Sequence, residues 1–272
     1  MPFNINIDRF KKINGITLKL IACITMLIDH ITAGIMLPVI RNRLYPETIT
    51  FDQMKTAYTI LRGIGRTAFP IFCFLLVEGF FHTKNRLRYA LSLFIFGLIS
   101  EIPFDITFYA KEEVFNLNIK EVLIANKDHL SDHCNVYFTL LIGLLTIWCC
   151  DRILMLFRER DIQIAYGYIL CAIPVTAAIL LAEKLHTDYH GYGVFLIVIF
   201  YIFRMYEPLN LGAAFVFLLN MGTEYLSFPG FILMFFYSKK RGRKLGGLKY
   251  LFYAFYPVHI LAIYFFRCIL FG

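Results

Sequence analysis

The fold is decided by residues 16–37, ITLKLIACITMLIDHITAGIML, a mostly apolar segment that carries Asp29 and His30 in its second half. A helix of this length spans the hydrocarbon core of a bilayer, which is about 30 Å thick. No small-residue cleavage signature follows the segment. It therefore predicts a retained transmembrane helix rather than a removed signal peptide.

Apolar segments of this kind recur along the whole chain. With 59% hydrophobic and 17% charged residues, the chain is too apolar for a water-soluble surface. We predict an all-α, polytopic transmembrane helix bundle of about nine spans, forming a single integral membrane domain over residues 1–272, in a multi-pass protein of the cell membrane. The predicted spans are residues 16–37, 63–81, 88–108, 135–151, 164–182, 192–205, 209–221, 225–237 and 250–271. The sixth to eighth are short enough to be re-entrant or tilted elements.

Basic residues predict the orientation of the bundle, because cytoplasmic loops of membrane proteins are enriched in Lys and Arg. With a cytoplasmic N-terminus, one face receives a consistent set of cations, among them Lys11, Lys12, Lys84, Arg86, Arg88, Arg152, Arg158, Lys239 and Lys240. The main extracytoplasmic loops are then residues 38–62 and 109–134. The net charge of +8 is explained by topology, and we expect no nucleic-acid partner.

Ionisable residues within the predicted spans indicate a site, because a charged group inside a bilayer costs at least a few kcal/mol. Asp29 and His30 lie in the outer half of the first span by residue count. His30 is the candidate general base, since histidine titrates near neutral pH and a carboxylate such as Asp29 can orient it. Pro257 bends the last span and can aim His259 inward. A purely structural hydrogen-bonding role for His30 between helices remains an alternative.

Arg66 is the candidate residue for stabilising negative charge at the same predicted depth in the bilayer. We expect it to pair with Asp29, Glu101 or Asp105, or to stabilise an oxyanion or a phosphate group. Arg66, Glu101, Asp29, His30 and His259 form the predicted catalytic set. A structural buried ion pair between Arg66 and Glu101 or Asp105 is the alternative.

Polar residues at the same predicted depth are assigned to the substrate, and these are Arg62, Asp105, Asn135 and His190. His186 and His190 have a spacing seen in metal sites, but no third ligand accompanies them. We predict no metal.

Six motifs resemble the TraX family of polytopic membrane proteins, whose best-known member is associated with N-terminal acetylation of conjugative pilin. They are MLIDH at 26–30, RGIGRTAFPIF at 62–72 with EGF at 78–80, SEIPFD at 100–105, NVYFTL at 135–140, YHGYG at 189–193 and YPVH at 256–259. They follow the order of the family and extend over essentially the whole chain.

The resemblance implies a transmembrane acyltransferase that moves an acyl group, most simply acetyl, from cytoplasmic acyl-coenzyme A to an extracytoplasmic hydroxyl or amine. The acceptor is then a glycan, a peptide or a protein N-terminus. In this reading the coenzyme A phosphates are attracted by Lys84, Arg86 and Arg88, with His82 beside them, although a solvated helix end explains His82 equally well. His30 deprotonates the acceptor, and either direct transfer or a transient acyl-histidine satisfies the pattern.

Two other function classes compete with this expectation. A proton-coupled transporter uses the same buried His, Asp and Arg side chains as a proton relay. A structural or assembly protein would tolerate His30→Ala apart from any loss of stability. Dependence on coenzyme A separates the acyltransferase from both alternatives.

Overall fold

Helices follow one another along the described chain, which comprises residues 11–128, 130, 132–160, 162–240, 242 and 246–272 of this computed structural model. They are α1 Gly15–Ile31, α2 Leu37–Arg41, α3 Phe51–Gly65, α4 Ala68–His82, α5 Arg86–Phe104, α6 Ile119–Ala125, α7 Val136–Glu159, α8 Ile164–Lys184, α9 His190–Ile202, α10 Leu209–Leu218, α11 Phe228–Phe235 and α12 Lys249–Phe271. Two π-helical segments, Thr32–Met36 and Asp105–Tyr109, extend α1 and α5. Strand pairing among the described residues is limited to two isolated bridges. The predicted all-α fold is confirmed.

Six helical stretches among the described residues are long and apolar enough to cross a bilayer. They are Gly15–Arg41, Phe51–His82, Arg86–Tyr109, Val136–Glu159, Ile164–Lys184 and Tyr250–Phe271. The predicted count of nine also included α9, α10 and α11, which contain only 13, 10 and 8 residues. At about 1.5 Å per residue, α10 covers about half of a bilayer core. The chain is a multi-pass membrane protein in which these short helices complete the bundle.

The segment predicted as an extracytoplasmic loop at 38–62 is largely helical. Thr50 and Gln53 form a capping box, in which each side chain accepts from the backbone amide of the other residue. This box satisfies two amides that a helix start leaves unpaired, so α3 begins at Phe51 and continues almost directly into α4. The loop predicted at 109–134 contains the short helix α6. The side of the membrane on which the two segments lie stays a prediction.

Two prolines shape the helices around the centre of the bundle. Pro70, in the first turn of α4, has no amide hydrogen to donate to the carbonyl of Arg66, and the helix is interrupted at Arg66 and Thr67 between α3 and α4. Pro257 likewise frees the carbonyl of Tyr253 inside α12, and the hydroxyl of Tyr137 donates to that carbonyl at 2.8 Å. A side chain from α7 thus satisfies the backbone that proline leaves open in α12.

The core lies where α1, α4, α7 and α12 meet. α1 packs against α3, α4 and α12, and α7 packs against α5, α8 and α9. Leu18, Phe80, Leu144 and Ile260 are each 0% exposed in this core. α8 presents most of its surface outward, as expected for a helix that faces lipid.

Candidate active site

A cleft opens between α1, α3, α4, α7, α12 and the turn before α9. Two carboxylates, one histidine and three tyrosines line it among apolar side chains. The lining residues are Met26, Asp29, His30, Gly65, Ala68, Phe69, Phe72, Val136, Tyr137, Leu140, Asp188, Tyr189, Phe252 and Tyr256. A few polar groups converging in a largely apolar cleft are typical of a ligand site.

The two predicted histidines meet beside this cleft, which His30 lines. Nδ1 of His30 lies 2.7 Å from Nε2 of His259, and Nδ1 of His259 lies 2.5 Å from the backbone carbonyl of Phe255. A carbonyl oxygen only accepts, so Nδ1 of His259 carries a proton, and Nε2 of the neutral ring is an acceptor. Nδ1 of His30 therefore donates to His259, and Nε2 of His30 keeps its lone pair. This hydrogen-bond chain gives His30 the tautomer that a general base needs.

Asp29 pairs with Arg62, whose Nη1 donates to Oδ2 of the carboxylate. The other oxygen, Oδ1, is buried and makes no hydrogen bond with the described residues. The backbone of Gly65 lies directly against this carboxylate, where a Cβ would overlap it. Gly65 thus allows α3 to approach α1 closely enough to place Arg62 on Asp29.

Replacing Gly65 with alanine is expected to destabilise the protein by about 1–3 kcal/mol, because the added methyl displaces a carboxylate held by an ion pair. The matched control is Gly212→Ala in α10, where nothing lies within 4 Å of the added carbon. That control is expected to be neutral or to stabilise by up to about 1 kcal/mol, because alanine favours helix. Thermal unfolding of the two variants in the same detergent measures the difference, and equal midpoints would contradict the close contact.

Arg66 has a different partner from those predicted. Its Nη1 lies 2.8 Å from Oε1 of Glu224, in the 3₁₀ segment Gly222–Ser227, instead of on Glu101 or Asp105. Glu224 is 4% exposed. The carboxylate of Asp29 still acts on the Arg66 guanidinium electrostatically. The two arginines of the RGIGR motif, one helical turn apart, therefore hold two different carboxylates, Asp29 of α1 and Glu224 of the 3₁₀ segment.

Glu101 and Asn135 form a structural connection outside the cleft lining. The backbone amide and Nδ2 of Asn135 both donate to Oε1 of Glu101, at 3.0 and 2.5 Å. Nδ2 also donates to the carbonyl of Gly97 at 2.8 Å, while Oδ1 caps α7 by accepting from the amide of Tyr137. The two residues fix the start of α7 against α5, and the structure brings neither to His30.

Asp188 is a cleft carboxylate absent from the predicted catalytic and substrate sets. Burial, reinforced by the negative charge of Asp29, raises its pKa from the ordinary 3.8 to about 6. A carboxyl group with this pKa exchanges a proton near neutral pH. The turn that carries Asp188 is held by its own amide, which donates to the carbonyl of Cys134 at 2.8 Å.

The raised pKa of Asp188 gives a pH prediction. Between pH 3.8 and about 6 the folded protein holds more protons on this group than the unfolded chain, so its contribution to stability falls as the pH rises. Asp188→Asn removes the titratable group, and with it the loss of stability that occurs when Asp188 ionises. We expect the variant to gain thermal stability over wild type at about pH 7, and to gain much less at about pH 4. An equal difference at the two pH values would contradict the assignment.

The residues predicted for coenzyme A lie at the end of the bundle formed by α4 and α5. Nη1 of Arg86 lies 2.7 Å from Oδ2 of Asp151, and its guanidinium stacks on the ring of Phe80. Lys84, Arg88 and His82 are exposed. Arg86 is thus engaged within the protein, whereas its neighbours face outward.

Two further predicted positions also lie outside the cleft lining. His190 starts α9, where its Nδ1 lies 3.5 Å from Oε2 of Glu183. Asp105 is buried in the second π-helical segment. Among the described residues, no group of three or more His, Cys, Asp or Glu side chains is arranged to hold a metal ion.

Comparison with known proteins assigns the chain to a family. A family model described as "TraX protein" matches residues 14–267. The chain belongs to the TraX family. A probable fimbrial assembly protein FimC, serogroup H1, from Dichelobacter nodosus is 27% identical over 281 residues, with 96% of each chain covered. No solved structure matches significantly.

Arg267 is the residue of this TraX-family chain that sequence reasoning missed most clearly. It is 0% exposed, and its guanidinium donates to the carbonyls of Gly34 at 2.9 Å, Thr107 at 2.8 Å and Ile106 at 3.2 Å. All three carbonyls belong to the π-helical segments, where the usual helical pattern of backbone hydrogen bonds is interrupted. The available signal was an arginine within the apolar 250–271 span. Nothing in the sequence indicated the three carbonyl groups that accept from Arg267, because they lie far from it along the chain.

Proposed function

We propose that the protein is a membrane-embedded acyltransferase that moves an acyl group from acyl-coenzyme A to a hydroxyl or amine acceptor. The observation that supports it best is the hydrogen-bond chain from Phe255 through His259 to His30, which leaves one ring nitrogen of His30 as a base in the cleft. The cleft reaches from Phe252, in the first turn of α12, to Asp188 in the turn before α9. A donor and an acceptor can thus approach His30 from opposite ends.

In the proposed reaction, Nε2 of His30 takes the proton of the acceptor O–H or N–H as the acceptor atom attacks the thioester carbonyl. The tetrahedral oxyanion then collapses, the C–S bond breaks, and coenzyme A leaves as the thiol with the proton that His30 held. The imidazolium of His30 is stabilised meanwhile, because Nε2 of His259 accepts from its Nδ1. Tyr256 and the guanidiniums of Arg62 and Arg66 are the donors proposed to stabilise the oxyanion.

The hydrogen bonds favour direct transfer, or an acyl group on His30, over an acyl group on His259. Both ring nitrogens of His259 are occupied, Nδ1 by the carbonyl of Phe255 and Nε2 by His30. A nucleophile needs an available lone pair, so His259 acts as a positioning residue in this mechanism. Asp29, held by Arg62, precedes His30 in α1 and lines the same cleft.

The two ends of the cleft suggest roles for the remaining residues. Lys84 and Arg88 are proposed to attract the phosphates of the donor to its end of the bundle. Asp188, at the other end, is proposed to contact the acceptor, with Asp105, Asn135 and His190 shaping that side. The FimC relative is described as a probable fimbrial assembly protein, which makes the N-terminus of an exported protein one acceptor class to test.

Purified protein in detergent, incubated with acetyl-coenzyme A carrying a radiolabelled acetyl group, tests the proposal. Saturable binding of the donor, with label transferred to a trial amine or released to water, is the expected result. The competing transporter would move protons in sealed vesicles without any need for coenzyme A. Well-folded wild-type protein that neither binds acetyl-coenzyme A nor releases its acetyl group would refute the acyltransferase.

A further inference from the structure

One face of α1 leads from the start of the helix to His30. Lys19, Cys23, Met26 and His30 follow one another at intervals of four, three and four residues, which places them on one side of an α-helix. Met26 and His30 line the cleft, and Cys23 is buried beside them. Lys19 is therefore the first residue of a row that ends at the proposed base.

Contacts with α12 place Lys19 at the far end of the same cleft. Its ammonium lies 5.0 Å from the centre of the Phe252 ring, and Phe252 lines the cleft. His30 contacts His259 farther along the same two helices, so α1 and α12 run in parallel on either side of the row. Asp188 lies at the opposite end. Lys19 is thus a cation at one mouth of a cleft that has a carboxylate at the other.

The distance between Lys19 and His30 suits one class of ligand. His30 comes eleven positions after Lys19, which corresponds to about 16 Å along a helix. In acyl-coenzyme A, an extended pantetheine arm joins the thioester to the diphosphate over a comparable length. A thioester carbonyl at His30 therefore brings the diphosphate to the level of Lys19.

We propose that the Lys19 ammonium binds the diphosphate of acyl-coenzyme A, with the pantetheine arm lying along Cys23 and Met26 toward His30. This assignment rests on the proposed function and deepens it. Lys84 and Arg88 then attract the donor from a distance. Lys19 binds its diphosphate and thereby positions the thioester at His30. A lysine also fits this position because its long apolar stem crosses the hydrophobic end of the cleft while its ammonium remains at the mouth.

Equilibrium binding of coenzyme A and dephospho-coenzyme A to the purified full chain tests the assignment. The two ligands share the diphosphate, and only the first carries the 3′-phosphate. Lys19→Gln is expected to weaken the binding of both by about tenfold, the loss of one charge-assisted hydrogen bond. Lys19→Arg keeps the charge and is expected to retain most of the affinity. Lys12→Gln, an exposed lysine before α1, serves as the matched control and is expected to bind as wild type does.

Three outcomes would overturn this inference while leaving the proposed function intact. They are unchanged affinity in Lys19→Gln, an equal loss in Lys12→Gln, and a loss confined to coenzyme A, which would assign Lys19 to the 3′-phosphate instead. A loss in Lys19→Gln that Lys19→Arg does not restore would also refute it, because the charge would then not be the cause. Failure of wild type to bind either ligand would refute the proposed function itself.

Discussion

Replacing His30 with alanine is expected to lower the rate of acyl transfer by about 10²- to 10⁴-fold, the usual contribution of a positioned general base. The donor should still bind, because the proposed diphosphate and phosphate contacts lie at the other end of the cleft. The measurement is the release of radiolabelled acetate or the labelling of a trial amine under saturating donor. A fall in turnover without a rise in the dissociation constant for coenzyme A separates a catalytic role from a structural one.

His259 provides the second half of this test. His259→Phe keeps an aromatic ring but removes the acceptor for Nδ1 of His30, so the ring of His30 is no longer held in one tautomer. We expect a smaller loss of turnover than in His30→Ala, together with a shift in the pH dependence of turnover. His186→Asn is the matched control, since it removes an imidazole outside the cleft lining and asparagine tolerates the positive φ of 43° found there. Equal losses in His186→Asn and His30→Ala would show a nonspecific effect on folding.

Replacing Arg267 with methionine is expected to destabilise the protein by at least about 3 kcal/mol, because three carbonyls in a dry interior lose their donor. Methionine fills a similar volume, so the expected loss comes from the hydrogen bonds more than from a cavity. Arg267→Lys should recover only part of the stability, because an ammonium cannot reproduce the planar fork of a guanidinium. The measurement is the thermal unfolding midpoint in detergent.

The control for Arg267 is the same change at an exposed position. Arg152→Met on α7 is expected to alter stability by less than about 0.5 kcal/mol. If Arg267→Met unfolds at the wild-type temperature, the guanidinium does not hold the π-helical segments together. The expected loss in Arg267→Met would also lower turnover, because Thr32–Met36 follows His30 almost directly.

The sequence located the cleft residues better than it located their partners. Asp29 and His30 were identified because charge is costly in an apolar span, and this argument requires no contacts. His259 was identified from its place beside Pro257. The pairing of Arg66 with Glu224 was missed, since Glu224 comes from a short 3₁₀ segment that is distant along the chain. Glu78 likewise pairs with a residue that is distant along the chain, Arg204, at 2.9 Å.

The sequence by itself determined the all-helical membrane fold, the family and the presence of Asp29, His30 and His259 inside apolar spans. These follow from the length of the apolar segments, the order of the residues and the cost of charge in lipid. None of the three requires knowledge of contacts between distant parts of the chain. The tertiary structure alone decided the partners of each charge, the tautomer of His30 and the role of Arg267. Hydrogen bonds depend on distances of about 3 Å between atoms of different helices, and these distances are set by how the helices pack together.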